Sequence, residues 1–249
     1  MIANAWPTAI PPLLLGDEVH IWLATLDLPP AIVTQLASDL VADERRHADR
    51  FRFALDRQRY LVAHAFLRQV LSAYSGVPTT AIEFVTGTYG KPSLLPRPDI
   101  PDLRFNLSHS QNHALLAISK GRDVGIDIEY MRPLDDADLI AQHFFSVPEQ
   151  ATLKSLALQQ KQSAFYRCWS RKEALIKGVG LGLTMPLDQF SVSLVPAEPA
   201  RLTHLAESVS QYNHWILHDL PIVQGYATAL AVSSACHTIT CHTWAPAPR

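Results

Sequence analysis

An α+β protein made of two similar halves is the expectation, and three observations carry it. Each half runs from a strand through helical segments to two or three further strands. Ala-Leu-Leu-Ala-Ile-Ser (114–119) and Ala-Leu-Ala-Val-Ser-Ser (229–234) look like equivalent strands of an internal duplication. At 249 residues, 48% apolar and 18% charged, the chain is long and apolar enough for one large domain or two small ones. The halves meet near Lys120–Asp123. The expected division is a poorly ordered lead-in over 1–19, a first half over 20–121 and a second over 122–249.

The opening residues include the apolar stretch Ile10–Leu15, interrupted by Pro11 and Pro12 and without a basic segment before it, which does not read as a signal peptide. His20–Leu26 reads as a strand closed by Asp27-Leu-Pro-Pro. Ala31–Leu40 reads as a short helix, and Asp43–Tyr74 as a long helical region stopped by Ser75-Gly76 and Pro78. The front of that region carries Arg45, Arg46, Arg50, Arg52, Arg57 and Arg59 among acids. Most of these read as a solvated face laced with i,i+4 pairs, leaving one or two to fork a phosphate. Its back carries the apolar stripe Leu61, Ala65, Phe66 and Val70.

Ile82–Val85 reads as the next strand, followed by a turn over Gly87–Pro92 that presents Lys91, and a Pro-rich connection through Pro101. Leu103–Leu107 and Ala114–Ser119 are strands. The Asn106–Ser110 stretch between them reads as a small polar loop whose hydroxyls and N–H groups suit an anion. His109 and His113 have the spacing of a zinc pair but lack the HExxH glutamate, so zinc is not expected. Asp135–Phe145 reads as a helix, and Ser146-Val-Pro-Glu as an N-cap opening another. Lys161–Gly178 is a further helix. Gln189–Leu194, His214–Leu217, Ala227–Ser233 and His237–Trp244 complete the strands.

A net charge of −2 argues against a general nucleic-acid or membrane-surface binder. The cysteines, Cys168, Cys236 and Cys241, are odd in number and lack CxxC spacing, which fits a reducing compartment without a disulfide or metal signal. No apolar run reaches the length of a membrane span. A soluble cytoplasmic protein is expected.

Asp123–Glu129 alternates strictly, placing Val124, Ile126 and Ile128 on one face of a strand and Gly125, Asp127 and Glu129 on the other. Neighbouring carboxylates repel unless a cation sits between them, and an oxygen-only set suits Mg²⁺. Taken alone, the pair is more simply an edge strand with a solvated acidic face. Further on, Trp169, Glu173 and Lys177 lie along one helical line. Glu173 with Lys177 alone is an ordinary exposed pair. Were Glu173 to join Asp127 and Glu129, three carboxylates and a lysine would form a magnesium–phosphate site.

Together these stretches resemble the Sfp-type 4′-phosphopantetheinyl transferases. The matching motifs are Tyr-Gly-Lys-Pro (89–92), Phe-Asn-Leu-Ser-His-Ser (105–110), Val-Gly-Ile-Asp-Ile-Glu (124–129) and Trp-Ser-Arg-Lys-Glu-Ala-Leu-Ile-Lys (169–177). Arg50-Phe51 and Pro186–Val192 extend the likeness, which runs in order from about His20 onward. It implies two α+β halves in pseudo-twofold relation with the active site in the crevice between them. It also implies transfer of the phosphopantetheine arm of coenzyme A to a serine of an acyl or peptidyl carrier protein, releasing adenosine 3′,5′-bisphosphate. The resemblance puts Mg²⁺ on Asp127, Glu129 and Glu173, makes Glu173 the base, and gives Lys177 the departing phosphate. Arg59, Lys91, Ser108 and His109 match positions that hold the coenzyme A phosphates. A basic position used there on the 3′-phosphate is His47 in this chain, with Arg46 and Arg50 nearby. A non-catalytic adaptor would be expected to lack one of Asp127, Glu129, Glu173 or Lys177, and all are present. A duplicated chain has little need of a second copy, so a monomer is expected. The sequence does not name the carrier.

Overall fold

The computed structural model describes residues 2–5 (backbone), 13–236 (the Leu183 side chain excepted) and 238–246. In chain order the elements are β1 (Ile2–Ala5), β2 (Glu18–Thr25), α1 (Pro30–Leu36), α2 (Ala42–Ala48), α3 (Ala54–Ser75), β3 (Phe84–Thr86), β4 (Pro92–Leu94), β5 (Leu103–Ser110) and β6 (His113–Lys120). They continue as β7 (Val124–Tyr130), α4 (Ala137–Phe144), α5 (Val147–Ser155), α6 (Leu158–Val179), β8 (Phe190–Val192), β9 (Leu202–Leu205), β10 (Ile216–Asp219), β11 (Tyr226–Val232) and β12 (Thr238–Thr243). Two compact units result. One runs to Val85 and takes in Pro92–Gly121 and the C-terminal strand; the other is Thr86–Lys91 with Arg122–Cys236.

The first unit is built on a five-stranded sheet of order β1-β12-β2-β6-β5. β12 runs parallel to both β1 and β2, whereas β2–β6 and β5–β6 are antiparallel. The apolar stripe of α3 supplies Leu61, Ala65, Phe66 and Val70 to one core with Trp22, Phe105 and Leu116. The second unit is built on the antiparallel order β10-β11-β7, with a separate ribbon of β8 and β9. α6 lies across β7 and β11, and its core includes Phe145, Phe165, Leu175, Phe190 and Trp215.

Each unit thus has one 22-residue helix ending on a left-handed glycine: Gly76 (φ 73°) after α3 and Gly180 (φ 80°) after α6. Each also has a strand with antiparallel neighbours on both sides, β6 in one and β11 in the other, at the two segments read as equivalent. The N-cap at Ser146 opens α5 as expected, with a reciprocal capping box to Glu149.

Four expectations differ. The helical region over 43–74 is two helices broken at 49–53. The sequence before Leu61 has no inward apolar stripe to hold a continuous helix against the core. Asn106–Ser110 is not a loop but the end of β5, paired with β6 up to Ser110↔His113. The turn is only Gln111-Asn112, with Gln111 at φ 51°. The C-terminal strand, expected in the second half, counts with the first unit, and Thr86–Lys91 counts with the second. In the expected lead-in, Ile2–Ala5 forms β1, while residues 6–12 lie outside the described residues. Among the described residues no helix is long and apolar enough to cross a membrane.

Candidate active site

β7 carries the expected alternation, but both faces are covered. Val124, Ile126 and Ile128 are fully buried, and on the opposite face Gly125 is buried and Asp127 is 1% exposed. Glu129, nearer the strand end, is half-buried. The cover over Gly125 and Asp127 is α6. A Cβ at Gly125 would lie 2.0 Å from the Ala174 carbonyl oxygen and 2.2 Å from the Gly178 nitrogen, the pair that closes one helical turn. Only glycine permits that approach. Asp127 is therefore no member of a solvated acidic face.

α6 is anchored on its other sides by two buried cations. Arg171 forks Asp219 at 2.9 and 2.6 Å, and Lys172 meets Glu149 at 2.9 Å while donating to the carbonyls of Leu187 and Phe190. Glu173, next in sequence, is half-buried. Four residues on, the Lys177 ammonium donates to Asp127 Oδ1 at 2.5 Å. Trp169, one turn before Glu173, is half-buried and stacked on Phe165.

The electrostatics follow from this burial. Burial raises the Glu173 pKa; Lys177 opposes the rise and Asp127 adds to it. Burial works against the Lys177 ammonium, yet the negative charge of Asp127, with Glu173 and Glu129, outweighs it and its pKa rises. The site thus holds a carboxylate that keeps its proton more readily than usual beside a lysine that stays charged. Among the described residues, no group of three or more His, Cys, Asp or Glu side chains converges closely enough to hold a metal ion. The donor chemistry, oxygen from Asp127, Glu129 and Glu173, nonetheless suits a hard cation such as Mg²⁺.

Lys91, on the turn after β3, donates to the Gly178 carbonyl at 2.6 Å and to the Val124 carbonyl at 3.1 Å. The remaining expected binding residues belong to the first unit. Arg59 on α3 forks Asp27 at 2.8 and 2.9 Å and reaches Gln111 Oε1 at 3.4 Å, at the β5–β6 turn. The Arg59 hydrogen bond holds the Asp27 carboxyl below its ordinary pKa. Ser108 and His109 lie on the strand leading to that turn. Adjacent strand residues face opposite ways, and here Ser108 is buried and His109 exposed. His47 is exposed and stacks on Tyr60 at 5.0 Å; Arg46 pairs with Asp43.

Comparison with known proteins decides the family. Residues 123–231 match the 4′-phosphopantetheinyl transferase superfamily model, and residues 30–121 match the 4′-phosphopantetheinyl transferase N-terminal model. The chain is 41% identical over 203 residues to the 4′-phosphopantetheinyl transferase HetI of Nostoc sp., covering 81% of this chain and 85% of that one. A putative 4′-phosphopantetheinyl transferase of Synechocystis sp. is 30% identical over 83% of this chain and 81% of its own. Sfp of Bacillus subtilis is 38% identical over 61% of this chain and 65% of its own.

The chain belongs to the 4′-phosphopantetheinyl transferase superfamily. It is an enzyme that moves the phosphopantetheine arm of coenzyme A to a carrier-protein serine. Within the second unit of this transferase, β7 and α6 bring Lys177 onto Asp127, with Glu173 close enough to feel the charge of both. Sequence reasoning missed Gly178 and Asp27. A glycine inside a strong helical pattern is costly, so Gly178 did signal a close backbone approach. A Cβ there would lie 2.5 Å from the Trp215 ring and 3.2 Å from the Gly125 nitrogen. Asp27, in a strand-ending Asp-Leu-Pro-Pro, carries no signal beyond that of a turn.

Proposed function

We propose that this transferase is Mg²⁺-dependent, with the ion held by Asp127, Glu129 and Glu173. When bound, Mg²⁺ would neutralise phosphate oxygens of the coenzyme A pyrophosphate. The chain's own residues do the rest. Glu173, half-buried on α6 one turn before Lys177, takes the proton of the carrier serine hydroxyl. The serine oxygen forms a bond to the phosphorus that carries the pantetheine arm. The bond from that phosphorus to the oxygen of adenosine 3′,5′-bisphosphate breaks, and the charge that gathers there meets the Lys177 ammonium. Arg59, Ser108 and His109 are the residues assigned to the coenzyme A phosphates, because they match the positions that hold those phosphates in the family, and Arg59 reaches Gln111 at the turn that follows the two strand residues.

The observation that carries this reading is the Lys177–Asp127 ion pair at 2.5 Å, which ties α6, with Glu173 one turn before the lysine, to β7. The preferred carrier, from fatty acid, polyketide or nonribosomal peptide synthesis, is left to experiment. A cytoplasmic enzyme acting as a single chain completes the proposal. Intact-mass spectrometry of apo carrier proteins incubated with the transferase, coenzyme A and Mg²⁺ tests it. A phosphopantetheine mass gain removed by EDTA and by Glu173→Ala supports the proposal; transfer that survives both overturns the roles of metal and base.

A further inference from the structure

Lys91 was expected on a coenzyme A phosphate, but its surroundings fit another task. Its ammonium donates to Gly178 O at 2.6 Å and Val124 O at 3.1 Å. Gly178 stands in the last turn of α6, where carbonyls lack an intrahelical donor and the helix dipole favours a cation. Val124 is the first residue of β7. One ammonium therefore ties the end of the helix that carries Glu173 and Lys177 to the start of the strand that carries Asp127 and Glu129. The tie sits beside the Gly125–Gly178 approach, so it closes the same helix–strand seam from the end. The lysine stem runs over Gly180, where a Cβ would lie 3.1 Å from Lys91 Cδ. The sequence explains why the turn can deliver it. Gly90 takes φ 92° and Pro92 follows, so the lysine projects from a stiff bend.

We propose that Lys91 is a positioning residue: it clasps α6 to β7 and so sets Glu173 and Lys177 against Asp127. This rests on the assignment of those residues to the transfer step.

The test is Lys91→Met, which keeps the stem and removes the charge, assayed for kcat and for KM toward coenzyme A. Misplacing the helix predicts a fall in kcat of roughly 10–100-fold with KM within about threefold. A rise in KM of tenfold or more at unchanged kcat makes Lys91 a phosphate ligand and overturns the proposal; so does wild-type behaviour in both. A second measurement needs no variant. In the wild-type protein, the carbonyl ¹³C resonances of Gly178 and Val124 are followed as coenzyme A is added. Resonances that keep their hydrogen-bonded positions support the clasp, and both moving as the ammonium leaves for phosphate overturns it. Absence of transfer by the wild type would overturn the functional reading, and the carbonyl resonances would still judge the clasp.

Discussion

Gly125 and Ala174 meet backbone to backbone: a Cβ on Gly125 would stand 2.0 Å from the Ala174 carbonyl oxygen. That contact sets how close α6 comes to β7. Glu173 is adjacent to Ala174, and Lys177 is adjacent to Gly178, which the same Cβ would strike at 2.2 Å from its nitrogen. Gly125→Ala must push the helix outward. A shift on the order of 1 Å costs about 10²-fold in a reaction of this kind, and overpacking costs about 1–3 kcal/mol of stability. Transfer rate and denaturant midpoint, measured on one preparation, should both fall.

Lys177 and Asp127 are expected to depend on each other. Asp127 is 1% exposed, so Lys177→Met leaves a buried carboxylate without its closest cation. A loss on the order of 1–2 kcal/mol follows, moderated because Lys177 is partly solvated. Adding Asp127→Asn should restore most of that stability while transfer stays absent; a double variant no more stable than Lys177→Met would contradict the coupling. Since the folded Lys177 pKa lies above the ordinary 10.5, the pair's contribution is complete at neutral pH and lost only as pH climbs through the raised value.

Glu173 works in the opposite direction. Its folded pKa lies above the ordinary 4.5, so the folded state binds the proton more tightly than the unfolded one. Stability therefore declines as pH rises from about the ordinary value through the raised one, and at neutral pH the ionised carboxylate is a standing cost. In metal-free buffer, Glu173→Gln should melt higher than wild type at pH 7, by about 2–4 °C, and transfer assayed with Mg²⁺ should be lost. The gain should vanish at a pH low enough to protonate Glu173. Thermal melts across pH, beside transfer assays, check both halves of the expectation.

His242 on β12 gives the first unit its own acid sensitivity. The ring stacks on Trp22 at 4.6 Å, lies 4.9 Å from His20, and buries Nε2 without a hydrogen-bond partner among the described residues. Burial, with His20 adding to it, lowers its pKa to about 4. His20, facing it from β2, is also lowered, mainly by burial and against the pull of Glu18. A depressed histidine leaves stability intact above the ordinary 6.5 and erodes it as pH falls towards about 4. His242→Phe should flatten that loss, read as the difference in melting temperature between pH 7 and pH 4.5.

Much of the second unit was legible because its signals are local. The alternation over 124–130 and the Ser146 cap each rest on side-chain periodicity or on bonds three residues apart. The coplanar line of Glu173 and Lys177 on α6 is likewise a matter of helical pitch. What escaped was set by distant partners. Lys91 reaches carbonyls 33 and 87 residues away, and a backbone acceptor leaves no mark in a sequence. Ser108 and His109 looked like loop residues because they are polar, whereas pairing with Leu115 and Ala114 makes them strand. The break at 49–53 holds no glycine or proline to announce it.

The parallel seat of β12 between β1 and β2 has a consequence for how the protein is made. A ribosome releases β2, β6 and β5 early, and those strands can pair among themselves at once. The outer edge of β2 and the whole of β1 find their neighbour only when Thr238–Thr243 emerges. Until then a row of backbone N–H and C=O groups stands open to any passing strand. The unit that is begun first is completed last, and the nascent chain is most exposed to mispairing while its second unit is being synthesised.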